Sequence, residues 1–216
     1  MLYFFVFLTT FWPRLFVIKK HMQNINEDLL TWFNDLANYS IVENFVYIFA
    51  DWPILFLPVF LIAMWLYHTH KTKDQEKRHD LMFIFYACIV WIIFSFIVKQ
   101  FFDFERPEAY LEATGKLLMS HVPDASFPSD HATVSVAFLT SLFFAHYKRI
   151  GLIFLPFVVV MNASRIIAWV HWPFDIVAGT VVGITASYIT FKYIKKNKLV
   201  KRFNLFIIKL LRYIKL

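Results

Sequence analysis

Apolar residues along this chain come in long blocks separated by short polar stretches. A helix that crosses a bilayer needs roughly 20 mostly apolar residues. Five blocks approach that length: about Trp52–Tyr67, Leu81–Val98, Ala132–Ala145, Ile150–Ala163 with room to continue to Trp169, and Pro173–Tyr193. They predict an all-α, polytopic membrane bundle of about five to six transmembrane helices. The last block carries Gly179 and Gly183, a small-residue pair spaced for close helix contact. Glycine is also simply tolerated in membrane helices, and the spacing leaves both readings open.

The two ends follow a different rhythm. "MLYFFVFLTTFWP" is short for a span, and Arg14, Lys19 and Lys20 follow it directly. It lacks the charged start and small-residue cleavage site of a signal peptide. Two readings stand for residues 1–21: an interfacial leader, or an upstream start with Met22 as the working one. Ile25, Leu29, Trp32, Phe33 and Leu36 then recur at helical spacing, which predicts an amphipathic helix on the membrane surface. In the tail, Lys198, Lys201, Arg202, Lys209, Arg212 and Lys215 gather within roughly 140° of a helical wheel. Phe203, Phe206, Ile207 and Leu210 take the other side, as in a basic interfacial helix attracted to anionic headgroups. The chain divides into a leader and amphipathic segment (1–40), a transmembrane domain (41–195) and a basic amphipathic tail (196–216).

Composition sharpens this picture. The chain is 59% hydrophobic and 17% charged, against about half and a quarter in soluble domains. Cys88 is the single cysteine, which excludes an intrachain disulfide and a cysteine metal cluster. A net charge of +7 can signal nucleic acid, but here it sits in runs beside apolar blocks. That is membrane topology and contact with anionic lipid, not nucleic-acid binding. "HTHKTKDQEKRH", "HYKR" and "KYIKKNKLVKR" follow the first, third and fifth blocks. The positive-inside rule places all three in the cytoplasm. Residues 99–131 and about 164–175 are then left outside.

Those outer stretches hold the candidate chemistry. Lys99 and Arg106 are seven apart, two helical turns on one face, until the proline after Arg106 disturbs the helix. Two fixed cations at a membrane edge suit an anion with several oxygens. Ser129 precedes an apolar helix as a natural N-cap, with His131 on the first turn, and the free amides of that turn suit phosphate. In "SRIIAWVHWPFD", Arg165 adds a third cation, and His171 and Asp175 are four apart across a helix-starting Pro173. Asp175 can take one imidazole nitrogen, fix the tautomer and leave the other as a nucleophile. Neither histidine has a second metal ligand at the usual spacing, so no metal and no cofactor is expected.

Jointly these blocks resemble the type 2 phosphatidic acid phosphatase superfamily. Its pattern is K-x6-R-P, P-S-G-H and S-R-x5-H-x3-D; this chain has Lys99–Arg106–Pro107, Pro128–Ser129–Asp130–His131 and Ser164–Arg165–His171–Asp175. The resemblance covers roughly Trp52 to Tyr193 and implies the phosphatase/haloperoxidase-like helical fold. One position departs: Asp130 stands where the family has glycine, and a carboxylate there would repel phosphate. Aspartate tolerates unusual backbone angles, and "SFPSDHA" with "HWPFD" is similar to the bacterial undecaprenyl pyrophosphate phosphatase branch. Asp130 therefore reads as a mark of that branch.

The resemblance implies a mechanism. His171 attacks the terminal phosphorus, Asp175 orients it, and His131 protonates the leaving oxygen. Lys99, Arg106, Ser129 and Arg165 hold the phosphoryl oxygens, and water releases phosphate without a metal. The implied substrate is a polyprenyl diphosphate, hydrolysed on the outer face of a bacterial inner membrane to recycle the cell-wall carrier. Alternatives are a phosphatase of phosphatidylglycerol phosphate or lipid A, a phosphotransferase onto lipid A, and a non-catalytic lipid-phosphate binder. No role follows for Ser164.

Overall fold

The computed structural model describes residues 22–101, 104–110, 114–119 and 125–213. Expectations for the leader at 1–21 and for Lys215 lie outside these residues. The described chain is helical. In order come α1 (22–35), α2 (Ser40–Phe49), α3 (Trp52–His70), α4 (Gln75–Phe101), α5 (Asp130–Phe144), α6 (Lys148–Ile167), α7 (Pro173–Ile189) and α8 (Lys198–Tyr213). Among the described residues, four stretches are long and apolar enough to cross a membrane: Ser40–His70, Gln75–Phe101, Lys148–Ile167 and Pro173–Ile194. The protein is thus a multi-pass membrane bundle, as its apolar blocks predict.

The central α5 is shorter, at 15 residues. It still joins the two ends of the bundle. Ser129 caps its start, and the Ala145 carbonyl just past its end accepts from Lys77 Nζ at 3.1 Å. Phe138 and Leu142 on α5 are fully buried, packed with Leu57 of α3 and Leu81 and Ile84 of α4. Leu55, Phe56, Val59 and Ile62 of α3 are exposed, the expected lipid-facing surface of a helix that is apolar all round.

Gly179 and Gly183 settle one open reading. A methyl group on Gly179 would come within 2.7 Å of the Ser129 carbonyl oxygen and of Ala132 Cβ. On Gly183 it would meet the Thr133 carbonyl at 2.7 Å. The two glycines let α7 lie backbone to backbone along α5. That approach carries the Ser129 amide to 3.2 Å from the Asp175 carbonyl, which it donates to.

The first amphipathic helix meets both lipid and protein. Ile25, Leu29 and Trp32 stay exposed, as a surface helix requires, whereas Phe33 and Leu36 of the same predicted stripe are half-buried and pack against the bundle. A second stripe, Asn26, Leu30, Asn34 and Ala37, is buried against the bundle. Leu30 packs with Ile166, Trp169 and Trp172. Asn34 Nδ2 donates to the Ile167 carbonyl at 2.7 Å, and Asn26 Oδ1 accepts from the Phe174 amide at 3.1 Å. In α8, Lys198, Lys201, Arg202 and Lys209 are exposed. Ile208 is buried, and Asn204 accepts from Tyr86 Oη at 2.6 Å to join α8 to α4.

The three basic runs meet at one end of the bundle. Asp80 pairs with Lys195, and Tyr147 Oη contacts His68 Nε2 at 2.8 Å. Lys99 is at the opposite end of α4, whose 27 residues reach about 40 Å. The candidate residues collect there.

Candidate active site

Three separate pieces of backbone build the site. The first is the stretch after α4. Lys99 is on the last turn of α4, but that helix ends at Phe101 and Arg106 lies beyond it in extended chain. The two cations do not share a helical face. The proline after Arg106 excludes the α region there, and the kinked path sends the guanidinium inward. Its Nη1 donates to the Val170 carbonyl at 2.7 Å.

The second piece runs from Ser126 to His131. Ser129 Oγ accepts from the Ala132 amide at 3.5 Å as the N-cap of α5, and His131 follows on the first turn. The third piece closes α6 and opens α7. Trp169 takes φ 67, a left-handed turn that ends the helix sharply and costs about 1 kcal/mol for a bulky residue. It faces Val170 and His171 into the bundle, where both are buried. Pro173 then starts α7, and Asp175 Oδ2 accepts from the Trp172 amide at 2.9 Å.

Backbone hydrogen bonds knit the pieces together. The Ser126 amide donates to the Phe104 carbonyl at 2.8 Å, and Trp172 Nε1 donates to the Glu105 carbonyl at 2.9 Å. With the Ser129–Asp175 and Arg106–Val170 bonds, each piece is tied to the other two.

At the centre is His171, 1% exposed. Its Nδ1 is 3.4 Å from Asp175 Oδ2 and 3.4 Å from Ser126 Oγ. The Ser126 hydroxyl donates to the same Asp175 oxygen. Its Nε2 is 3.3 Å from Arg106 Nη1. A guanidinium only donates, so Nε2 must present its lone pair and the proton belongs on Nδ1, facing Asp175. Burial first, then the guanidiniums of Arg165 and Arg106 with His131 and Lys99, hold the imidazole well below the usual histidine range. His171 is therefore neutral, with its Nε2 electron pair turned toward the Arg106 guanidinium.

The other predicted residues surround it, with partners the sequence did not suggest. Lys99 Nζ donates to Asp130 Oδ2 at 2.6 Å, and Ser95 Oγ donates to Asp130 Oδ1 at 2.7 Å. Asp130 is held by an ammonium, which explains how a carboxylate fits where repulsion of phosphate was the concern. Arg165 is fully buried and donates to Asp51 Oδ1. His131 Nε2 meets the same oxygen at 3.0 Å. Asp51 and Ser126 belong to no motif block. Ser126 was within sight of the second block, three residues before Ser129; Asp51 sits at the α2–α3 corner and gave no spacing signal. Ser164 is buried on α6. Among the described residues, no group of three His, Cys, Asp or Glu is placed to hold a metal.

A neutral imidazole with an oriented Nδ1–H and an unprotonated Nε2, ringed by two guanidiniums and an ammonium, suits attack on an anionic phosphorus. Comparison with known proteins agrees. The sequence profile of the PAP2 superfamily matches residues 80–199. The bacitracin transport permease protein BcrC of Bacillus licheniformis is 31% identical over 77% of this chain and 79% of its own length. Undecaprenyl-diphosphatase BcrC of Bacillus subtilis is 23% identical over 78% of this chain and 84% of its own. The crystal structure of Aquifex aeolicus LpxE superposes with a TM-score of 0.63 at 25% identity, covering 78% of this chain and 96% of that one.

Proposed function

This chain belongs to the PAP2 superfamily, and on that premise we propose that it is a membrane lipid pyrophosphate phosphatase that converts undecaprenyl diphosphate and water to undecaprenyl phosphate and phosphate. One observation carries the reading: Arg106 donates toward His171 Nε2 while Asp175 faces Nδ1. That arrangement supports a histidine nucleophile more than it supports a passive phosphate binder, which needs cations but no poised electron pair. The Bacillus subtilis relative's name supports the substrate. The Bacillus licheniformis relative is named for transport; a transport role gives no reason for an imidazole held in one tautomer.

In the proposed reaction His171 Nε2 forms a bond to the terminal phosphorus. The bond from that phosphorus to the bridging oxygen breaks, and His131 delivers a proton to the departing oxygen. Water then attacks the phosphohistidine, His131 takes its proton, and phosphate leaves. Arg106, Arg165, Lys99 and Ser129 carry the negative charge of the phosphoryl oxygens. The three basic runs at the opposite end favour an inner-membrane protein with the site toward the exterior. The exposed lysines of α8 favour contact with anionic lipid.

Purified full-length protein in detergent, offered a panel of lipid phosphates, tests the reading. The expected result is preferential phosphate release from the polyprenyl diphosphate, with label going to water and not to a lipid acceptor. His171→Ala should lower turnover by at least about 10³-fold while lipid binding persists. Unchanged turnover in that variant sinks the mechanism, and preference for phosphatidylglycerol phosphate sinks the substrate.

A further inference from the structure

Asp51 lies outside residues 80–199 of the family match and outside all three motif blocks. Its carboxylate nevertheless reaches into the centre of the phosphate site. One oxygen, Oδ1, accepts from Arg165 Nη1 and meets His131 Nε2 at 3.0 Å. These are a proposed phosphate-holding cation and the nitrogen that must face the leaving oxygen. A single anionic oxygen between them stands where a phosphoryl oxygen would stand.

The three groups differ in freedom. The Arg165 side chain is 0% exposed and that of His131 is 19% exposed, whereas the Asp51 side chain is 43% exposed. Asp51 is the accessible partner, at the short corner between α2 and α3. It also has a second place to go. With its side chain 43% exposed, a rotation about its own bonds exchanges these two donors for water.

We propose that Asp51 is a resident anion that closes the empty site and is exchanged for the terminal phosphate of the substrate. This rests on the reading that Arg165 and His131 face that phosphate. With Asp51 swung in, Arg165 is paired and the His131 proton is engaged. An incoming anion must outcompete it, and when product phosphate dissociates Asp51 takes its place again. The device favours ligands with more negative charge, since only a strong anion displaces a carboxylate from a guanidinium.

Inorganic phosphate, the expected product, is the probe, used as a competitive inhibitor of the full-length protein in detergent. Asp51→Asn keeps the shape and removes the charge. Its inhibition constant for phosphate should fall about tenfold, which corresponds to a wild-type site open in about a tenth of molecules. KM should fall in parallel, with kcat lowered by slower product release. Asp51→Glu retains a carboxylate and should return the phosphate constant to near the wild-type value. A residue needed only for folding would reduce activity without tightening phosphate. An unchanged or weaker phosphate constant in Asp51→Asn overturns the exchange. If Asn is unstable, Asp51→Ser is read in the same way. Wild-type protein gives a third measurement: carboxyl labelling of Asp51 by a carbodiimide and amine, read by peptide mass, should rise when phosphate is bound, and no change counts against the exchange. Should phosphate fail to compete in wild type at all, the site reading falls together with this one. Competition in wild type with an unmoved constant in the variant removes only the role of Asp51.

Discussion

The two ends of the bundle both bury charge, and they do so differently. At the end where the basic runs meet, the polar groups are held mainly by other side chains on neighbouring helices. Asp80 pairs with Lys195 and lies 4.0 Å from Lys77; His68 is between Tyr147 and Thr72. At the other end, Arg106, Ser126, Ser129 and Trp172 are tied through backbone amides and carbonyls of distant segments. Side-chain pairs tolerate movement of either partner, and partly exposed ones are worth about 1 kcal/mol or less. Backbone ties fix where a segment lies. The comparison teaches that a ring of charge can mark a membrane boundary or a reaction centre, and the difference is whether main-chain bonds hold it rigid.

The glycines offer the hardest blow to this contrast. A Cβ at Gly179 meets backbone, the Ser129 carbonyl at 2.7 Å, whereas a Cβ at Gly151 meets the tip of the Phe143 ring at 2.9 Å. Gly151 lies on the first turn of α6, toward the basic end. Gly179→Ala must push α7 off α5 and shift Asp175 against Ser129. Misplacement of about 1 Å costs on the order of 10² in rate. Gly151→Ala should change turnover less than about twofold, because the Phe143 side chain has to swing aside, at a cost in stability of about 1–3 kcal/mol, while no residue of the site is displaced. Phosphate-release rates of the two variants, with folding checked by thermal midpoint, decide it; equal effects would break the comparison.

A smaller and sharper effect concerns pH. An ordinary histidine takes up a proton near 6.5, but burial and its cationic neighbours keep His171 neutral below that point. Formation of the labelled phosphoenzyme in a single turnover should therefore persist as pH falls below 6.5. Stability carries the opposite sign. At His171 the folded state binds fewer protons than the unfolded one in that window, so this group's contribution to the thermal midpoint should decline as pH drops through it. A rate that halves at 6.5 would mean that burial and the cations do not hold His171 neutral.

The smallest effect is expected at the far end. Asp80→Asn removes the partner of Lys195 and should lower stability by about 1 kcal/mol. Turnover per folded molecule should stay unchanged, because none of the hydrogen bonds that hold the site is made there. A loss of activity beyond about threefold would show that the two ends are mechanically joined.

Much of this architecture was legible in the sequence for simple physical reasons. A span must be apolar throughout, so Trp52–Tyr67 and Leu81–Val98 declare themselves without partners. The spacing within each motif block survives because each block is one local piece of chain. What stayed hidden depends on chain segments meeting. Asp51 has no fixed spacing to Arg165 and His131, since α3 and α4 intervene before His131, and α5 as well before Arg165. The face of α1 that meets the bundle was masked because Asn26 and Asn34 read as solvent-facing, although their amides satisfy the Phe174 amide and the Ile167 carbonyl. The outer stripe of Ile25, Leu29 and Trp32 is more apolar and drew the eye to lipid alone.

The pairing inside the resting cage has a consequence for how ligand arrives. Lys99 donates to Asp130 and Arg165 to Asp51, Asp175 meets the His171 ring on the nitrogen opposite Arg106, and His171 adds no charge. Such a balanced cluster projects little far field, and salt screens what remains within about 10 Å. Headgroups are then not drawn in from a distance. They are met by two-dimensional diffusion in the leaflet, and recognition begins on touch, so throughput should follow how densely substrate populates the bilayer far more than the ionic strength of the medium.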